Sequence, residues 1–278
     1  MKHNTLTHVA VLVAVLALVS STPTAAIVVN PTTNLNDLLN ALVLPGSGLT
    51  VINATLSAQV SGDAMSVGTY TNPQGTYGAP PGIVLSTGNV ANYGSGENTS
   101  DSTTFSYNVP ATAAQEALLD PITSGEYNHF DVTQLDITFQ TTTGEVYFFV
   151  VFGSEEYPEY VGSRFNDGFG LYLNGVNIAK VGGLPVNISH PDVKPISGTE
   201  LDGVLAPKGN PLLLFGVSGL DTSANHTLTF ILGDTSDDQF DTTVYIAALG
   251  GVVIPEPATL WLMASGLMPF VLRRRRTV

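Results

Sequence analysis

The sequence predicts an all-β fold: a jelly-roll-like β-sandwich with a short N-terminal helix and a C-terminal hydrophobic helix. Three observations carry that expectation. Short runs rich in valine, isoleucine, phenylalanine and tyrosine recur through residues 27–252, separated by glycine, proline, asparagine and serine. Some of these runs alternate apolar with polar residues and others are apolar throughout, as strands with one or two buried faces do. Helical spacing of apolar residues appears in only two internal stretches, and no period of 20 to 50 residues points to a solenoid or propeller.

Residues 1–26 read as a secretory signal peptide. Lys2 supplies a positive start, residues 9–19 are unbroken apolar, and the small residues Thr24, Ala25 and Ala26 follow. The apolar run is shorter than the roughly 20 residues a membrane span needs. Leucines at 35, 38, 39 and 42 then predict a helix over 34–44, stopped by Pro45 and Gly46. PGIVLSTG and TTFSYNV read as two early strands, and ATAAQEALLDP, over 111–121, as a second, weaker helix. In DVTQLDITFQ, Val132, Leu135, Ile137 and Phe139 fall nearly on every second residue. EVYFFVVF is continuous and apolar, a strand expected to be buried on both faces, and the TTTG between the two reads as a hairpin loop. Asn174-Gly175 is a strong hairpin signal, and PLLLFGVSGL, HTLTFIL and DTTVYIAALGG supply three late strands.

The last 26 residues form a third segment, 253–278. Residues 258–272 are apolar and end in Arg273, Arg274, Arg275 and Arg276. As a helix this run is ~22 Å long, short of a ~30 Å hydrocarbon core, and it spans only with local thinning or snorkelling arginines. The arginines would stay on the cytoplasmic side and act as a membrane stop, leaving the body outside. Pro255 and Pro257 hold Glu256 in an extended, accessible stretch.

Composition excludes several function classes. With no cysteine there are no disulfides, thiolate zinc sites or cysteine nucleophiles. The formal net charge is −14, and five of the nine basic residues lie in the terminal segments, leaving Arg164, Lys180, Lys194 and Lys208 for the body. Such a body has no cationic patch for nucleic acid or anionic lipid, and it attracts divalent cations. The sequence contains no H-E-x-x-H, no G-x-S-x-G and no phosphate-binding loop, and His129, His190 and His226 are far apart in sequence.

Two acidic stretches are the candidate sites. GSEEYPEYVGSRFND contributes Glu155, Glu156, Glu159, Asn166 and Asp167; GDTSDDQFD contributes Asp234, Asp237, Asp238 and Asp241. Calcium takes six to eight oxygen ligands, and flexible acidic loops supply them. Neither stretch has the EF-hand pattern, so calcium, the one cofactor suggested, rests on composition. The structural alternative is that these side chains accept backbone N–H groups in turns. A catalytic alternative is a matrix polysaccharide hydrolase using Glu156 and Glu159, whose spacing could suit a carboxyl pair ~5–9.5 Å apart. Tyr70, Tyr77, Tyr93, Tyr157 and Tyr160 lie in polar, glycine-rich stretches, where exposed rings could stack on sugars or instead cover the edges and corners of the sandwich.

Two resemblances add to this reading. Pro255-Glu256-Pro257, the apolar run and the arginine cluster resemble the PEP-CTERM sorting signal of Gram-negative bacteria. The resemblance implies transient insertion in the inner membrane through the C-terminal helix and removal of the tail by exosortase, a membrane protease-transpeptidase. It also implies delivery to the cell surface or to a biofilm matrix rich in exopolysaccharide. The body, above all GSEEYPEYVGSRFNDGFGLYLNG at 153–175, resembles the choice-of-anchor L domain family. That resemblance implies an exported surface or matrix module and no established enzymatic activity. A non-catalytic module of this kind is expected to bind exopolysaccharide or another surface protein, and the acidic body argues against nucleic acid.

Overall fold

The computed structural model describes residues 27–94, 100, 103–123, 125 and 127–251. The expected signal peptide, the C-terminal hydrophobic helix, Pro255, Glu256, Pro257 and Arg273 to Arg276 lie outside the described residues. Among the described residues no helix is long and apolar enough to cross a membrane.

In chain order the strands are β1 (Val28–Pro31), β2 (Leu49–Ser57), β3 (Val60–Ser61), β4 (Ala64–Met65), β5 (Val67–Thr71), β6 (Gly82–Ser86), β7 (His129–Thr141), β8 (Glu145–Ser154) and β9 (Gly168–Leu173). They continue with β10 (Val176–Asn177), β11 (Lys180–Val181), β12 (Leu184–Asn187), β13 (Val193–Lys194), β14 (Gly203–Leu205), β15 (Leu213–Ser218), β16 (His226–Thr235) and β17 (Thr242–Gly250). The first sheet runs β1-β5-β6-β17-β8-β14-β13, with β15 also on β8; the second runs β11-β12-β9-β16-β7-β2, with β10 also on β9. The two sheets pack face to face as a sandwich, the expected all-β architecture.

The core explains the strand patterns. Val146, Phe148, Val150 and Phe152 of β8 join Leu135, Ile137 and Phe139 of β7 and Leu228, Phe230 and Leu232 of β16 in one buried cluster. Phe148 packs edge-on to Phe230 and stacks with Phe215. On its other face β8 puts Val151 into a second cluster with Tyr70, Val84, Tyr93 and Tyr245. That is why EVYFFVVF has almost no polar positions: the middle of this central strand is covered on both sides.

Helix α1 (Leu35–Leu42) forms where the leucine spacing places it. Asn34 caps it by accepting the Asn36 N–H, and Leu38 and Leu42 enter the main core. Helix α2 (Ala113–Thr123) runs two residues past the expected stop at Pro121, because Ile122 and Thr123 are buried in the docked last turn. Leu119 and Ile122 meet Val132, Tyr172 and Ile231 on the outer face of the second sheet. The Asn174-Gly175 hairpin is present: φ is 50° and 79°, the paired positive values of a tight two-residue turn, and β9 pairs with β10.

Two expected elements differ. TTTG is no hairpin loop but a corner between sheets, because β2 and β16 already flank β7, while β17, β14 and β15 flank β8. TTFSYNV is not a ladder strand. Its backbone donors go to carboxylates instead: Phe105 N–H to Asp241, and Tyr107, Asn108 and Val109 N–H to Asp131. Two acids distant in sequence hold an extended segment that no sequence pattern reveals.

Candidate functional site

Strand register assembles the acids. Gly168 faces Gly233 in the β9–β16 pair, so Asp167 and Asp234, one residue beyond each, come opposite one another. Thr242 faces Ser154 in the β17–β8 pair, which sets Asp241 opposite Glu155, and Glu155 N–H donates to Asp241 O at 3.1 Å. Each sheet therefore contributes one cross-strand pair of acids, an arrangement that repels if both members ionise.

A bond between the sheets joins the pairs. The Thr242 hydroxyl donates to Asp167 Oδ2 at 2.8 Å and lies 2.8 Å from Ser154 Oγ. Asp167 Oδ1 accepts the Thr235 N–H at 2.7 Å. Asp241 accepts Phe105 N–H at 2.9 Å and the Tyr93 hydroxyl at 3.2 Å. Gly88 makes room for that carboxylate: a Cβ there would lie 1.7 Å from Asp241 Oδ2.

Asp234 is different. It is 1% exposed, and neither carboxylate oxygen has a hydrogen-bond partner. Thr87 and Asp167 are near enough to influence its ionisation, but neither contact has hydrogen-bond geometry. Glu156, also buried, has an unpartnered Oε2. Among the described residues no lysine or arginine forms an ion pair with Asp167, Asp234, Asp241 or Glu156.

The electrostatics follow from burial. Desolvation raises Asp234 well above the ordinary carboxylate range, and the charges of Asp167 and Asp241 add to the rise. Glu156 is raised by desolvation and then by Asp167, Asp237 and Glu159. Asp167 is raised by desolvation, against the Thr235 and Thr242 hydrogen bonds. Desolvation also lifts Asp241, to about 7, opposed by its bonds from Phe105 and Tyr93. Buried carboxylates without a counter-charge cannot all be ionised, so this end of the sandwich holds protons or a cation.

The remaining candidates sit around this centre. Asn166 is spent on structure: its amide donates to Thr123 O and its carbonyl accepts Ser189 N–H. Asp237 and Asp238 are half-buried on the β16–β17 loop and hold Gln239. Glu159 is exposed whereas Glu156 is buried, so the two do not form a matched pair lining an open groove. A shallow cavity of ≈ 300 Å³ lies elsewhere, lined in part by Thr55, Gln115, Gln134 and Asp136. Tyr70, Tyr77 and Tyr93 are buried and pack with Tyr245 in the second cluster, which favours the packing reading over sugar stacking for these three; the Tyr245 hydroxyl donates to Glu200. Tyr157 and Tyr160 are partly buried against the main core.

Sequence reasoning missed one group. Ligand atoms of Glu116, Asp120 and His129 lie within 4.8 Å of one another, tighter than any three of the predicted acids among the described residues. The Glu116–Asp120 spacing on an expected helix was the available signal, but His129 joins it only through the fold.

Comparison with known proteins gives two matches. The choice-of-anchor L domain matches residues 27–250, and the PEP-CTERM protein-sorting motif matches residues 253–276. No curated protein and no solved structure matches the chain. The sorting motif marks an exported protein carried through the membrane and processed by exosortase.

Proposed function

This chain belongs to the choice-of-anchor L domain family, and from that membership and the acid-lined end of its sandwich we propose a non-catalytic, calcium-binding adhesion module. It works at the cell surface or in the biofilm matrix of a Gram-negative bacterium, after exosortase has removed the tail. The carrying observation is Asp234, buried with both oxygens unpartnered and with Asp167 opposite. Calcium at that point would take oxygens from Asp234, Asp167 and Glu156, with carbonyls or water completing the shell. A fixed cation there offsets the repulsion within the cluster and stiffens the loops that carry it. It also supplies positive charge where an anionic exopolysaccharide would otherwise be repelled by an acidic protein. The hydrolase alternative with Glu156 and Glu159 draws no support from a buried glutamate beside an exposed one.

Calorimetric titration of the full-length chain with calcium, with melting measured in parallel, tests this reading. A specific site gives saturable heat and a higher melting temperature, worth ~2.7 kcal/mol at a free calcium concentration 100 times Kd. Asp234→Asn abolishes both. Wild-type protein indifferent to millimolar calcium in both measurements refutes the proposal.

A further inference from the structure

We propose that Glu116, Asp120 and His129 form a second, separate site, for one divalent transition ion of the zinc class, where α2 meets the start of β7. Glu116 and Asp120 stand four residues apart on α2, hence on one face of the helix, and His129 opens β7 below them. Their ligand atoms lie within 4.8 Å of one another, which suits one nitrogen and two oxygens around a single ion. An imidazole in the set favours zinc-like ions over calcium, which prefers oxygen throughout.

Second contacts already aim the ligands. Thr123 Oγ donates to Leu119 O and so accepts from His129 Nε2 at 2.9 Å, which turns Nδ1 toward the carboxylates. Glu116 Oε1 accepts the His129 N–H at 2.9 Å, which leaves Oε2 facing Nδ1 at 2.5 Å. Tetrahedral zinc with bonds of ~2.1 Å needs that separation to open to about 3.4 Å. The adjustment falls on Glu116, whose side chain is 25% exposed, while His129 is fully buried and stays fixed. Glu116 and Asp120 are half-buried, so water can fill the remaining position. The ion would staple α2 to the second sheet at the point where the helix ends.

Zinc titration of the full-length chain by calorimetry is the test, with Asp120→Asn and Glu116→Gln as variants and circular dichroism as the folding control. Wild type binds one zinc, and each variant, folded, loses at least about 100-fold in affinity, beyond the roughly 10- to 100-fold cost of disturbing an outer contact. Asp234→Asn leaves zinc binding unchanged, which separates this site from the calcium site. Absence of zinc binding overturns the proposal. So does wild-type affinity in the folded Asp120→Asn variant, which would place the ion elsewhere, for instance at His190 or His226.

Discussion

Glu200→Gln should stabilise the protein above neutral pH and leave it nearly unchanged in mild acid. Glu200 is 2% exposed among the tyrosines on the outer face of the first sheet. Its Oε1 accepts the Tyr245 hydroxyl at 2.7 Å, and its Oε2 is buried without a partner. Desolvation raises it from 4.5 to about 7, against the hydrogen bond from Tyr245. Below pH 4.5 the group is protonated in folded and unfolded chains alike and costs nothing. Between 4.5 and 7 only the unfolded chain releases its proton, so folding is progressively disfavoured, and above 7 the whole cost is present. At about 1.4 kcal/mol per tenfold change in proton affinity, that cost is ~3 kcal/mol. Glutamine keeps an acceptor for Tyr245 and never ionises, and its amide offers a donor beside the buried Tyr77 hydroxyl. For a domain of this size the gain corresponds to roughly 6–12 °C in melting temperature at pH 8. Thermal unfolding at pH 5 and pH 8 reads it directly. A variant no more stable than wild type at pH 8, or equally stabilised at both pH values, would refute the reasoning.

Three further outcomes are expected. Gly88→Ala forces the Asp241 carboxylate from its bonds to Phe105 and Tyr93 and should cost about 3 kcal/mol in urea unfolding, against none if that carboxylate can move freely. Asp131→Asn tolerates the positive φ of 48° but turns one acceptor into a donor facing the N–H groups of 107–109; residues 103–110 should then be cut faster in limited proteolysis, with a loss of about 2 kcal/mol. Glu256→Ala, in the sorting motif, should leave only the longer, unprocessed form on an immunoblot of cells that contain exosortase.

The parts legible in the sequence are those set by local pattern. Leucine spacing marked α1, alternation marked β7, and a run without polar gaps marked β8 as central, since its residues face cores on both sides. Asn174-Gly175 marked its turn because few other residues accept two positive φ values in succession. What stayed hidden depends on pairing between distant strands. The corner at 142–144 follows from which neighbours flank β7 and β8, and TTFSYNV has strand chemistry but spends its donors on Asp131 and Asp241. The acidic stretches were visible as composition. That Asp234 is buried opposite Asp167 depends on the register of β9 against β16, while Glu159, on the loop between β8 and β9, is exposed; no single stretch encodes either. For Tyr70, Tyr77 and Tyr93 the glycine-rich surroundings left packing and sugar stacking both open, and the fold decides for packing, because those segments lie over the outer face of the first sheet.

The acid-lined end as a calcium site is tested most directly by diffraction from calcium-soaked crystals of the protein. The account predicts an anomalous peak within ~2.3–2.6 Å of an Asp234 oxygen, with Asp167 or Glu156 in the same shell. Crystals that show no ion there, with Asp234 and Asp167 drawn together to share a proton at hydrogen-bond distance, would contradict it.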